Sequence, residues 1–133
     1  MADWHIVVGD EHEEERVGAI LDAHSAAQGR EFVRYGFHVD LDGETVAGVT
    51  AWSMGPDLHV DMLAVAEEHR REGLGSALLT RAEEAGRAAG CTTASVDTFS
   101  FQAPDFYPRH GYEVVFRYPL TDGTEHIYFS KRL

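Results

Sequence analysis

The stretch Leu63-Ala-Val-Ala-Glu-Glu-His-Arg-Arg-Glu-Gly-Leu-Gly-Ser-Ala-Leu-Leu79 changes period in its middle. An apolar run ends in a loop holding Arg70, Arg71, Gly73 and Gly75. Leu74, Ala77, Leu78, Ala82, Ala85 and Ala89 then recur at helical spacing. A strand therefore enters a glycine-rich turn and a helix leaves it. Glycines let the backbone come close to a ligand, and the first N–H groups of a helix have no intrahelical partner. That combination builds an anion site, most often for phosphate. His69, Arg70 and Arg71 are the only run of three cationic residue types in the chain. Two phosphate motifs are excluded. A Walker loop ends in Gly-Lys-Ser/Thr, whereas Gly75 is followed by Ser76-Ala77. The dinucleotide fingerprint needs a glycine where Leu78 stands. What remains is Arg70-x-x-Gly73-x-Gly75, whose bland alternative is a helix entry with turn glycines and solvated arginines.

Working outward, residues 6–8 read as a short first strand and 10–28 as a helix. Its early turns carry Glu11, Glu13, Glu14 and Glu15, which suit the positive end of a helix dipole. Val17, Ile20, Leu21 and His24 follow at helical spacing, and Gly29 is the stop. Residues 32–41 run into Asp42-Gly43, a two-residue hairpin signal, with 45–54 as the return strand and 58–66 as a third. Beyond the central helix, where Glu83 and Arg87 stand at i,i+4, Gly90 is the stop. A strand at 93–99, a short helix at 104–110, and strands at 112–118 and 125–133 complete the chain. The order predicts an α/β fold: a mixed, mostly antiparallel central sheet of about seven strands with about three to four helices, and one strand–helix–strand crossover. With no repeat and no linker, residues 1–133 are expected to form one domain.

The 133 residues carry 11 Lys+Arg against 23 Asp+Glu, a formal charge of −12. This argues against nucleic acid as a partner and against a basic membrane-surface module. Lys131 is the only lysine. The acidity reads either as a high-salt or Arg-biased source or as a surface that attracts a cationic substrate. Cys91 is alone, so neither an intramolecular disulfide nor a cysteine zinc site can form within the chain. The start of the chain lacks a signal-peptide pattern, and no apolar stretch approaches the ~18 residues of a membrane span. A cytoplasmic location is the expectation. None of the eight histidines falls in a metal-binding spacing, so no metal is expected.

A second motif follows, Ser100-Phe-Gln-Ala-Pro-Asp-Phe-Tyr-Pro-Arg-His-Gly-Tyr112. It resembles the Asn-x-x-Ala-x-x-hydrophobic-Tyr-x-x-x-Gly-aromatic pattern of the GNAT superfamily of acyl-CoA-dependent N-acetyltransferases, in its small stand-alone bacterial form. Ala103, Phe106, Tyr107, Gly111 and Tyr112 match, while Ser100 stands at the usual Asn. Arg70-x-x-Gly73-x-Gly75 likewise resembles that family's pyrophosphate loop. The resemblance covers roughly 45–133; residues 1–34 match only in element order. It implies the GNAT fold and direct transfer of acetyl from acetyl-CoA to an amine, without a covalent enzyme intermediate. Homodimers are common in the family, and nothing in this chain specifies an interface.

The resemblance also implies the site. Arg70, Arg71, Glu72, Gly73, Leu74, Gly75 and Ser76 would hold the cofactor's pyrophosphate. The backbone of Leu63, Ala64 and Val65 would meet its pantetheine arm, with Ser100, Ala103 and Phe106 alongside. Tyr107 matches the residue that gives a proton to the leaving thiolate. A protonated alkylamine must also lose a proton before it attacks. Strand alternation puts His59, Asp61, Leu63 and Val65 on one face, so Asp61 and His59 are the candidate bases, a water being the third choice. Family members often carry a Glu in this neighbourhood, and neither residue is that Glu. His38, Asp40, Glu125 and His126 are weaker candidates for lining an acceptor pocket. The other reading is a catalytically inactive acyl-CoA-binding or regulatory domain that kept the cofactor loop. The identity of the amine is not legible in the sequence.

Overall fold

The computed structural model describes residues 3–133. The chain divides into two compact units, the first ending at Phe32 and the second running from Val33 to Leu133. In the first, helix α1 spans Glu13–Ala27 with Glu13, Glu14 and Glu15 in its first turn. The Asp10 carboxylate accepts the His12 N–H at 2.9 Å and two Arg16 N–H groups at 2.8 and 3.0 Å. Arg16 first, then His12, holds the Asp10 carboxyl below the usual carboxylate range. Residues 6–8, expected to be a strand, are irregular and exposed. Three β-prone residues do not make a strand without a neighbour to complete the ladder.

The strands form one six-stranded sheet in the order β1-β2-β3-β4-β6-β5. The strands are β1 (Phe32–Leu41), β2 (Glu44–Met54), β3 (Asp57–Val65), β4 (Thr93–Phe99), β5 (Glu113–Pro119) and β6 (Glu125–Arg132). Asp42 and Gly43 both have positive φ, 51° and 79°, the geometry of a type I′ hairpin turn. β2–β3, β4–β6 and β5–β6 pair antiparallel, whereas β3 and β4 run parallel on either side of α2 (Leu74–Ala88). The sheet is thus mixed and mostly antiparallel, with the expected crossover and six strands, and the described residues hold two α-helices. The helix expected at 104–110 is replaced by turns and a single 3-10 turn, Pro108–His110. Pro108 has no N–H to close an α-helical bond and its ring clashes with the preceding turn.

Helix α2 covers one face. Leu78, Leu79 and Ala82 meet Leu58 and Val60 of β3, Ala94 and Val96 of β4, and Ile127 and Phe129 of β6 in one buried cluster. Close approach is possible because Gly86 has no side chain; a Cβ there would stand 3.0 Å from Leu58 Cδ2. Glu83 does not face solvent with Arg87 but is buried. It accepts the Tyr112 hydroxyl at 2.7 Å and Lys131 Nζ at 3.1 Å on each oxygen.

The expected alternation on β3 fails at one point. Thr50 pairs with Met62 but Ala51 pairs with Val60, so Asp61 is the extra residue of a β-bulge. Leu58 and Val60 before it, and Leu63 and Val65 after it, all pack on the α2 side. His59 stands on the opposite face, and Asp61 is exposed at the bulge. His59, Asp61, Leu63 and Val65 therefore do not share a face.

Candidate active site

The loop before α2 is shaped by two left-handed residues, Arg71 (φ 71°) and Gly73 (φ 84°). Alternating backbone hands of this kind turn successive N–H groups toward one point. The first helical bond runs from Ala77 N to Gly73 O, so the N–H groups of Leu74, Gly75 and Ser76 are left over. No side chain caps them and no acidic residue stands in the first turn, in contrast to the three glutamates of α1. A Cβ on Gly73 would meet nothing within 4 Å, so the cradle is open. Arg70 Nε donates to the Val65 carbonyl at 3.1 Å, which ties the guanidinium to the end of β3. Glu72 is exposed and lies 3.4 Å from His69. These residues fit a phosphorylated ligand.

The same strand opens an edge. Parallel pairing of β3 with β4 runs from Asp57↔Thr93 to Val60↔Val96 and stops, although β3 continues to Val65 and β4 to Phe99. From Asp61 onward β3 has no partner on its β4 side. Leu63, Ala64 and Val65 lie in that unpaired portion, as an amide-bearing arm would need.

The second motif folds back onto this place. Phe106 lies over Gly75, 3.5 Å from where a Cβ would be, and edge-on to Tyr107. His110 Nε2 is 3.1 Å from Ser76 Oγ. Tyr107 is 8% exposed and packs among Phe106, Tyr112 and Phe129. Burial first, and the Asp97 carboxylate second, push its phenol above the ordinary tyrosine value. It therefore keeps its proton at neutral pH. Ala103 closes the turn before it, accepting the Phe106 N–H at 3.3 Å. Ser100 is used internally: its hydroxyl accepts the Glu125 N–H at 2.8 Å, tying β4 to β6.

On the face opposite α2, His59 belongs to a polar chain that crosses β3, β4 and β6. His59 Nδ1 is 2.9 Å from Ser95 Oγ and its Nε2 is 3.3 Å from Asp97 Oδ1. His126 Nε2 is 2.6 Å from Asp97 Oδ2. Trp52, Phe99, Phe116 and Tyr128 surround these groups with aromatic rings. Farther along the same sheet, a hollow of about 450 Å³ is lined by His38, Thr50, Met62 and Ala64, among others. Asp40 lies beside it, 3.4 Å from His38. Asp97 was invisible to motif reading. Its only sequence signal is the polar alternation Thr93-x-Ser95-x-Asp97, and the strand order that sets it between two histidines is not written there. Among the described residues no group of three or more His, Cys, Asp or Glu is arranged to hold a metal.

The sequence matches the family model described as Acetyltransferase (GNAT) family over residues 2–112. The chain belongs to this family. A blasticidin-S acetyltransferase of Streptomyces morookaense is 42% identical over 78 residues, which cover 58% of this chain and 57% of that one. The chain therefore spans little more than half of that relative. An acetyltransferase of Agrobacterium fabrum is 32% identical over 92 residues, 68% and 67% of the two chains. The crystal structure of an acetyltransferase from Bacillus cereus superposes with a TM-score of 0.77 at 31% identity, covering 98% of both chains. The GNAT assignment rests on the whole architecture as well as on the loop. No helix among the described residues is long and apolar enough to cross a membrane.

Proposed function

We propose that this GNAT protein transfers acetyl from acetyl-CoA directly to a primary amine of a small molecule or peptide. One observation carries the reading. The uncapped, acid-free start of α2 lies at the end of a strand whose edge is unpaired from Asp61 on, beside a buried, protonated tyrosine. The N–H groups of Leu74, Gly75 and Ser76, with Arg70 and Arg71, hold the pyrophosphate. The Leu63–Val65 backbone takes the pantetheine amides as an added strand would be taken. Tyr107 donates to the sulfur as it leaves. The bound thioester supplies an activated acetyl carbonyl. The family match runs across the junction at Phe32, which supports one functional domain over 1–133.

The acceptor approaches from the face opposite α2, where Asp97, the aromatic rings and the histidines suit a cationic amine. The relative named for blasticidin S supports a small-molecule amine. Free thiol release from acetyl-CoA is measured across an amine panel, for wild type and Tyr107→Phe. Amine-dependent release, lowered at least tenfold in Tyr107→Phe with the acetyl-CoA thermal shift retained, is expected. A thermal shift with no thiol release from any amine would establish the inactive binding domain instead. No shift at all refutes both.

A further inference from the structure

The acetyl-transfer reading leaves the base open among Asp61, His59 and a water, and the hydrogen bonds around His59 decide against that ring. Asp57 accepts the Thr93 hydroxyl at 2.7 Å and the Ser95 hydroxyl at 2.6 Å. A serine has one proton, so Ser95 Oγ can only accept from His59 Nδ1. The other His59 nitrogen faces an Asp97 oxygen. Nε2 bonds Asp97 only in the doubly protonated ring, which has no lone pair to take an amine's proton, and Asp61 stands exposed at the bulge, outside this network.

His126 differs. A carboxylate only accepts, so Nε2, 2.6 Å from Asp97 Oδ2, carries the hydrogen. In the neutral ring Nδ1 then holds the lone pair. It faces the Tyr128 hydroxyl at 3.4 Å, too long for a good O–H···N bond. Phe99 stacks on the imidazole at 4.3 Å and 16°, fixing its plane. The side chain is 22% exposed, so an incoming amine can reach it. One carboxylate oxygen holds one imidazole nitrogen and leaves the other free, which is the orienting logic of an Asp–His pair in acyl transfer.

We propose that His126 is the general base of acetyl transfer and that Asp97 is its positioning residue, itself steadied by His59. The ammonium gives one proton to His126 Nδ1. The nitrogen lone pair forms the C–N bond to the acetyl carbon and the C–S bond breaks. The sulfur takes the Tyr107 proton, the second nitrogen proton returns to the Tyr107 oxygen through solvent, and His126 releases its own to solvent. The groups facing His126 are Asp97 and Phe99 of β4, Tyr128 of β6, and Tyr118 of β5, which pairs with His126 across the strands.

Two measurements test this. In the resting protein, two-bond ¹H–¹⁵N spectra are expected to show His126 as the Nε2–H tautomer, a preference lost in Asp97→Asn. In turnover, His126→Ala is expected to lower kcat by roughly 10²-fold or more, with KM for acetyl-CoA unchanged and part of the rate restored by added imidazole. An Nδ1–H tautomer in the wild type overturns the proposal. So does a His126→Ala variant within threefold of wild type, or one that loses its rate but is not rescued while keeping its acetyl-CoA thermal shift. If Tyr107→Phe is impaired and His126→Ala is not, the base lies elsewhere and acetyl transfer stands. If no amine elicits thiol release from the wild type, the acetyl-transfer reading falls and takes this proposal with it.

Discussion

Replacing Glu83 by Gln tests the packing beneath the site. Glu83 is 4% exposed and bonds Tyr112 and Lys131 at once. Glutamine keeps one acceptor for the tyrosine but removes the charge that two lysine contacts rely on. Removing one partner of a fully buried pair costs about 3–5 kcal/mol. Lys131 is 21% exposed and recovers part of this through water, so we expect about 2–3 kcal/mol. Unfolding entropy near 2.1 cal/mol/K per residue makes roughly 280 cal/mol/K for a chain of this length, so the melting point should fall by about 7–11 °C. Thermal melts by circular dichroism read this directly. Adding Lys131→Met removes the stranded charge and should recover about half of the loss. A Glu83→Gln melting point within 2 °C of wild type, or a double variant worse than the single, would refute the reasoning.

Three further outcomes are expected. Gly86→Ala gains about 1 kcal/mol of helix propensity but drives a methyl against fully buried Leu58, which costs about 1–3 kcal/mol; the melting point should drop by a few degrees, and a rise would contradict the close packing of α2. Arg71→Gly relieves a left-handed arginine while loosening the unfolded chain, so stability should stay nearly level. The KM for acetyl-CoA should nonetheless rise several-fold through loss of a cation; an unchanged KM would remove Arg71 from the cradle. Finally, Tyr107 and Tyr112 are both raised above the ordinary phenol value, chiefly by burial, then by Asp97 for the first and Glu83 for the second. The folded state binds those protons more tightly, so their contribution is complete below pH ~10 and is lost as pH rises beyond it. Tyr112, the more strongly raised of the two, should be missing from the phenolate absorbance step until the protein unfolds; its full ionisation in the folded state would be the contrary result.

Local patterns carried most of the architecture. The alternation of 32–41, the Asp42-Gly43 turn and the helical spacing from Leu74 mark elements that form where local chemistry places them. They succeed because turn glycines and apolar periodicity act within a few residues. Where the expectation missed, the cause was a neighbour or a ring. Residues 6–8 lack a partner strand, and Pro108 breaks the helix written around it. Glu83 turns inward because Tyr112 and Lys131, distant in sequence, arrive beside it.

For the proposed site, the cofactor side was legible in the sequence, since a glycine loop and a helix start are contiguous in the chain and Tyr107 sits in a recognisable motif. The proposed acceptor side rests on tertiary structure alone. The bulge at Asp61 reverses which β3 residues face α2 and exposes the carboxylate that alternation had favoured. The strand order β3-β4-β6 then sets Asp97 between His59 and His126, residues 67 positions apart in the numbering but bound to one carboxylate. Periodicity assigns a residue to a face. Which residues from other strands share that face is settled by the packing of the whole sheet.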